Sequence, residues 1–160
     1  MFRSLFLTAV LTVPTVVFAE GDDHSDHVSE IGDVRIIHAW ARATDHDHTG
    51  VFFEIENNGD VDITLASVVA PIAEHAHIMG AAVKADGEPT ELEMFPVSAG
   101  SHFELEPTGV FIELDGLAGH LHKGDEFEMT VVLEPLGAVE VNVEVEAENA
   151  DTHSHAGHSH

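Results

Sequence analysis

From Ala138 to Glu146 the chain reads AVEVNVEVE, with Val139, Val141, Val143 and Val145 alternating against Glu140, Asn142, Glu144 and Glu146. A period of two puts all four valines on one side of an extended chain and the polar groups on the other, so one face packs and one meets water. The same grammar recurs in DVRIIHAW, GVFFEIEN, DITLASVVA, EHAHIMGAAVK, TELEMF, SHFELE, GVFIELDG and EFEMTVVLE, all short runs rich in Val, Ile, Phe and Thr. Turn signals separate them: NNGD, KADGEP, VSAGS, EPTG, HKGD and PLG. No segment holds a 3.6-residue apolar period over a dozen positions, so helices are minor. Eight or nine strands at this spacing predict an all-β fold, a two-sheet antiparallel β-sandwich with Greek-key connections.

The two ends read differently. MFRSLFLTAVLTVPTVVFA has Arg3 in a short basic region, an apolar stretch from Leu5 to Phe18, and Val17 and Ala19 at the small-residue positions of a cleavage site. Residues 1–19 are therefore expected to be a secretory signal, 20–32 an acidic, His-containing flexible leader, 33–148 the folded domain, and 149–160 a disordered His-rich tail. Export to the periplasm follows as an expectation. The signal is too short for a membrane span, and no later stretch is apolar for long enough to be one.

Charge and cysteine narrow the chemistry. The formal net charge is −25, with 5 basic against 30 acidic side chains. Nucleic acid and anionic lipid draw on clustered Lys and Arg, so neither is an expected partner. The acid itself serves solubility first. There is no cysteine, so the fold rests on its core, and any site for a soft metal must use thioether sulfur. With no cysteine nucleophile and no Gly-x-Ser-x-Gly, no enzyme chemistry is expected.

Only 4 methionines occur, the initiator among them. Two sit close to histidines in EHAHIMGAAVKADGEPTELEMF. On a strand His75, His77 and Met79 point the same way. A two-residue loop at Asp86-Gly87 sets Met79 opposite Met94. A four-residue loop leaves Met94 diagonal to Met79 on the same face, and a three-residue loop sends it to the other face. Pro89 weighs in this choice because it cannot donate to a ladder. In the first two registers one imidazole and two thioethers converge, a donor set that selects Cu(I) over harder ions.

The order of segments adds a resemblance. HAWARAT at 38–44, IENNGD at 55–60, LASVVAPIAEHAHIM, LEMFPVSAGSHFELEPTGVFIELDGL and KGDEFEMTVVLEPLGAVEVNVEV resemble the periplasmic copper chaperone family PCu(A)C, collinear from about Val34 to Val145. The resemblance implies a cupredoxin-like β-sandwich and Cu(I) bound by a His-x-Met, a separate Met and a second His-x-Met. His77 and Met79 match the first pair and Met94 the separate Met. The second pair is not matched, because Phe111 and Glu113 stand at its His and Met positions. His75 and His102 are the supplementary candidates for the missing donor.

Other histidines form a second theme. His153, His155, His158 and His160 crowd the tail, while His24, His27, His46 and His48 lie in DDHSDH and DHDHTG. Short His-rich tracts bind Cu(II) or Zn(II) through neutral imidazole at low specificity. His120 and His122 have no assigned role, and Trp40 reads as structural. The resulting expectation is an exported, monomeric copper-binding chaperone handing Cu(I) to a copper-accepting periplasmic protein such as an oxidase assembly factor. A zinc or general divalent-metal buffer working through the His tracts is the alternative, and a metal-free structural or interaction sandwich a further one.

Overall fold

The computed structural model describes residues 27–82 and 87–152. The predicted signal, most of the leader and His153, His155, His158 and His160 lie outside the described residues. Eleven strands follow one another, with no α-helix among the described residues. They are β1 (Val28–Ile31), β2 (Val34–Arg42), β3 (His48–Asn57), β4 (Ile63–Val69), β5 (His75–Gly80), β6 (Thr90–Leu92), β7 (Phe95–Val97), β8 (Ser101–Glu104), β9 (Val110–Asp115), β10 (Glu126–Glu134) and β11 (Gly137–Glu146).

Hydrogen bonding joins them in the order β6-β5-β9-β3-β2-β11-β10-β4-β7, with β1 added on β2 and β8 on the second half of β3. This continuous, nearly barrel-like sheet folds over one core, as the sequence's β-sandwich reading requires. Three details depart from expectation. The pairing of β11 with β2 is parallel, through Glu144 and Trp40, Val145 and Ala41, and Glu146 and Arg42, so the fold is not wholly antiparallel. The end of the supposed leader is ordered, since Val28–Ile31 pairs with β2 from Ile37 back to Val34. The run TELEMF is two strands: β6 pairs with β5 and β7 pairs with β4, at opposite ends of the strand order. Pro96 is tolerated in β7 because an edge strand need not donate on both sides.

Alternation decides which residues face inward. Val141, Val143 and Val145 are buried as their period predicts, and Val131, Leu133, Met129, Leu65 and Ile55 complete the interior. Glu146 breaks the pattern, being only 2 % exposed, because β11 there lies parallel to β2 and under Lys123, whose Nζ donates to Glu146 Oε2 at 3.1 Å. Around the future site the same rule holds. Ile78 on β5, Ile112 and Leu114 on β9, and Val51 on β3 all point into the core. Each such side chain stabilises the fold by about 1.5–3 kcal/mol relative to exposure. Their strand neighbours must therefore point outward, and those neighbours are the polar and thioether residues of interest.

Candidate metal centre

Strand pairing brings three distant segments into rows on one outer face. In the first row His75 on β5 faces Asp115 on β9, which faces His48 on β3. In the second, His77 faces Glu113, which faces Gly50. In the third, Met79 faces Phe111. Directly opposed side chains stand about 4.5–5.5 Å apart at Cβ, so these are neighbours. An open concavity of about 380 Å³ is lined by His48, His77, Met79, Glu91, Glu113 and Asp115.

His77 is oriented by a carboxylate. Its Nδ1 lies 2.8 Å from Glu91 Oε1, and an ionised carboxylate can only accept, so the ring donates from Nδ1. Nε2 then keeps the lone pair, the tautomer a metal needs. His48 has a similar partner, with Nδ1 3.3 Å from Asp47 Oδ1. That hydrogen bond is the largest influence holding the Asp47 carboxyl below the usual carboxylate range. The imidazole rings of His75 and His77 stand 6.0 Å apart, centroid to centroid.

The loop that delivers His48 is tied down at its base. Thr44 N–H donates to the Leu121 carbonyl at 2.9 Å, and Leu121 N–H returns the bond to Thr44 at 3.0 Å. This bridge sets His120 beside Asp45, Nδ1 to Oδ1 at 3.0 Å. The hydrogen bond from His120 lowers the Asp45 carboxyl, and the charges of His120, His122 and His46 lower it further. His120, which the sequence left without a role, therefore helps fix the Asp45–His48 segment.

An aromatic wall borders the thioether end. Phe52 packs on Trp40 at 4.4 Å and approaches Phe111 at 6.3 Å between centroids, and the Arg42 guanidinium lies 5.6 Å over the Phe52 ring. The ring of Phe52 also explains Gly50: a Cβ there would stand 2.7 Å from Phe52 Cζ. Trp40 is thus structural, 6 % exposed.

The sequence-predicted donors separate. His75, His77 and Met79 do share one outward face, as alternation requires. Met94 does not stand opposite Met79; Glu91 does, because Ile78 pairs with Leu92 and Gly80 with Thr90. The connection between the strands runs from Ala81 to Pro89, longer than any of the two- to four-residue loops considered. Ala81 N–H is drawn instead to the Gly109 carbonyl at 2.7 Å, and Pro89 brings no donor to the ladder. Met94 follows β6 on the crossing to β7, is 57 % exposed and is not part of the concavity's lining. His102 pairs with Glu56, six residues along β3 from Gly50 and about 20 Å away at the rise of a strand. It is too remote to complete the ligand set of His77.

Glu91, Glu113, Asp115 and His48 are the lining residues that the sequence did not nominate together. Phe111 and Glu113 fall directly opposite Met79 and His77. The outward period of Phe111, Glu113 and Asp115 was visible in GVFIELDG, but its partner strands were not.

A family model described as "Putative lipoprotein LpqE-like" matches residues 34–145. The fold is similar to the copper-bound PCuAC domain from PmoF2, with a TM-score of 0.67 and 24 % identity over 76 % of this chain and 98 % of that one. It is also similar to the apo PCuAC domain from PmoF1, with a TM-score of 0.64 and 27 % identity over 76 % and 99 % of the two chains. The solution structure of CuI-DR1885 from Deinococcus radiodurans gives a TM-score of 0.61 at 17 % identity, covering 79 % of this chain and 85 % of that one. No curated protein matches the chain.

Proposed function

The chain belongs to the LpqE-like family, the family of the PCuAC domains, and from that premise we propose that it is an exported copper-binding chaperone rather than an enzyme. The observation that carries the reading is the outward pair His77 and Met79, with Nε2 of His77 left available by the Glu91 contact. Relatives of similar fold include a copper-bound PCuAC domain and a CuI-bound protein, which supports copper as the cargo.

In this reading Cu(I) is held by His77, Met79 and Met94. Thioethers suit a cuprous ion, and they bind it without a proton to release, so exchange with a recipient stays easy. Met94 is three residues beyond Glu91, a span of at most about 11 Å, and it reaches Met79 by a movement of the exposed Glu93-Met94 segment. His75, 6.0 Å from His77, is the supplementary donor.

The tail belongs to the same scheme. Arg42 Nε donates to the Ala150 carbonyl at 2.9 Å, and Thr152 borders a groove with Trp40, Glu54 and Glu104. The last described residues thus pass beside Glu54, four residues along β3 from Gly50. The sequence that follows supplies His153, His155, His158 and His160 for gathering Cu(II) or Zn(II). Delivery is towards a copper-accepting protein of the periplasm, an oxidase assembly factor being the candidate, with the protein acting as a monomer.

The test is an anaerobic Cu(I) competition titration on the chain with its four tail histidines changed to alanine, beside the same chain carrying Met79→Ala and Met94→Ala. One tight Cu(I) per chain, lost in the methionine variant, supports the reading. Equal binding by both chains overturns the thioether site.

A further inference from the structure

A cuprous chaperone site needs soft donors, yet most of the donors lining this concavity are hard or borderline. Three of its six lining residues are carboxylates, Glu91, Glu113 and Asp115, and two are imidazoles, His48 and His77. Only Met79 is soft. Glu113 occupies the position directly opposite His77, and Asp115 that directly opposite His48.

Both imidazoles are backed by a carboxylate at Nδ1, His77 by Glu91 at 2.8 Å and His48 by Asp47 at 3.3 Å. Each therefore keeps Nε2 as its lone-pair nitrogen, the second-sphere arrangement that orients histidine toward a cation. The described basic side chains are engaged elsewhere: Arg35 with Glu56 and Glu30, Arg42 with Asp151, and Lys123 with Glu146. None of them lines the concavity, so no described basic side chain offsets its negative charge. A dication gains twice the Coulomb energy of a monocation in such a field.

We propose that this concavity binds a divalent cation of borderline hardness, cupric or zinc ion, through Nε2 of His48 and His77 and the carboxylates of Glu113 and Asp115. Among the described residues no three His, Asp or Glu side chains are already gathered into one coordination shell. Adjacent positions on a sheet lie close enough for side-chain rotation to gather them. His48 lines the concavity with its side chain 57 % exposed, its ring held by Asp47 and stacked on His46 at 5.8 Å, so the rotation falls mainly to the carboxylates. Two nitrogens and two oxygens suit Cu(II) or Zn(II) and disfavour Cu(I). His77 is then common to two overlapping sites: a cuprous one running outward to Met79 and Met94, and a divalent one running across β9 to His48.

The inference rests on this face being the metal site, but it stands or falls separately from the cuprous reading. The probes are Cu(II) and Zn(II) themselves, titrated into the full chain with its four tail histidines changed to alanine. One divalent ion per chain is expected, with nitrogen hyperfine structure from two imidazoles in the Cu(II) electron paramagnetic resonance spectrum. Glu113→Gln/Asp115→Asn should weaken it at least about tenfold while Cu(I) affinity stays within about twofold; Met79→Ala/Met94→Ala should do the reverse. A thermal melt of each metal-free variant checks that the fold is retained. Absence of divalent binding in the tail-substituted chain, or divalent binding unchanged in Glu113→Gln/Asp115→Asn, overturns the proposal whatever the Cu(I) result.

Discussion

Two acidic outer faces cover the same core, and of the two it is the face on β5, β9 and β3 that interleaves its described acids with histidines. On β10 and β11, Glu126 faces Glu144, Glu128 faces Asn142, and Thr130 faces Glu140. On β5, β9 and β3, Asp115 lies between two histidines and Glu113 faces a third. On β10 and β11 the acids meet one another or an amide, Asn142 Nδ2 donating to Glu126 Oε2 at 3.1 Å, an arrangement that serves solubility. Carboxylates interleaved with imidazoles and a thioether supply the donors that the proposed metal sites would use. The strongly negative composition therefore does not reveal function by its amount; what matters is what stands opposite each acid.

That contrast can be broken experimentally. The largest expected effect is loss of the tight Cu(I) equivalent in Met79→Ala/Met94→Ala, whereas Glu126→Gln/Glu144→Gln on the other face leaves Cu(I) affinity unchanged in the same competition titration. Next, Phe111→His/Glu113→Met places an imidazole opposite Met79 and a thioether opposite His77. Cu(I) affinity should rise by more than the ~10-fold that an outer-sphere contact typically carries. A fall would mean that these positions do not reach the ion bound by His77.

A smaller change is expected from Glu91→Gln. It keeps an acceptor near His77 Nδ1 but removes the charge, and should weaken copper binding by about tenfold, with Glu128→Gln as the silent counterpart. The smallest concerns Asp45, whose carboxyl is held low chiefly by the His120 hydrogen bond. A depressed carboxyl contributes its stabilisation above its unfolded value and loses it as pH falls through the folded one. The Asp45–His120 contact should therefore persist down to pH 3.8, the ordinary value, and give way below it. Carboxyl carbon chemical shifts followed by pH would register this, and titration of Asp45 at or above 3.8 would show that the contact does not form in solution.

Much of the site was legible as local pattern. His75, His77 and Met79 share a face because a strand alternates, and no tertiary information is needed for that. The absence of a second His-x-Met was equally plain from Phe111 and Glu113. A short turn does not give the place of Met94, because β5 ends at Gly80, Ala81 bonds to Gly109, and β6 begins only at Thr90. A shift of register by an odd number of residues exchanges the faces, so the observed register, with Glu91 rather than Met94 opposite Met79, moves the thioether off the row.

Sequence by itself determined the all-β class, the inward valines of β11, the outward pair His77 and Met79, and the family's collinear order. These are properties of neighbouring residues, fixed by side-chain size and a period of two. Tertiary structure alone decided that β9 inserts between β5 and β3, that β11 runs parallel to β2, and that Glu113, Asp115 and His48 come to face the histidines of β5. Pairing between strands separated by dozens of residues depends on how the whole apolar set packs into one core, and no local pattern encodes which distant carboxylate will stand opposite a given imidazole.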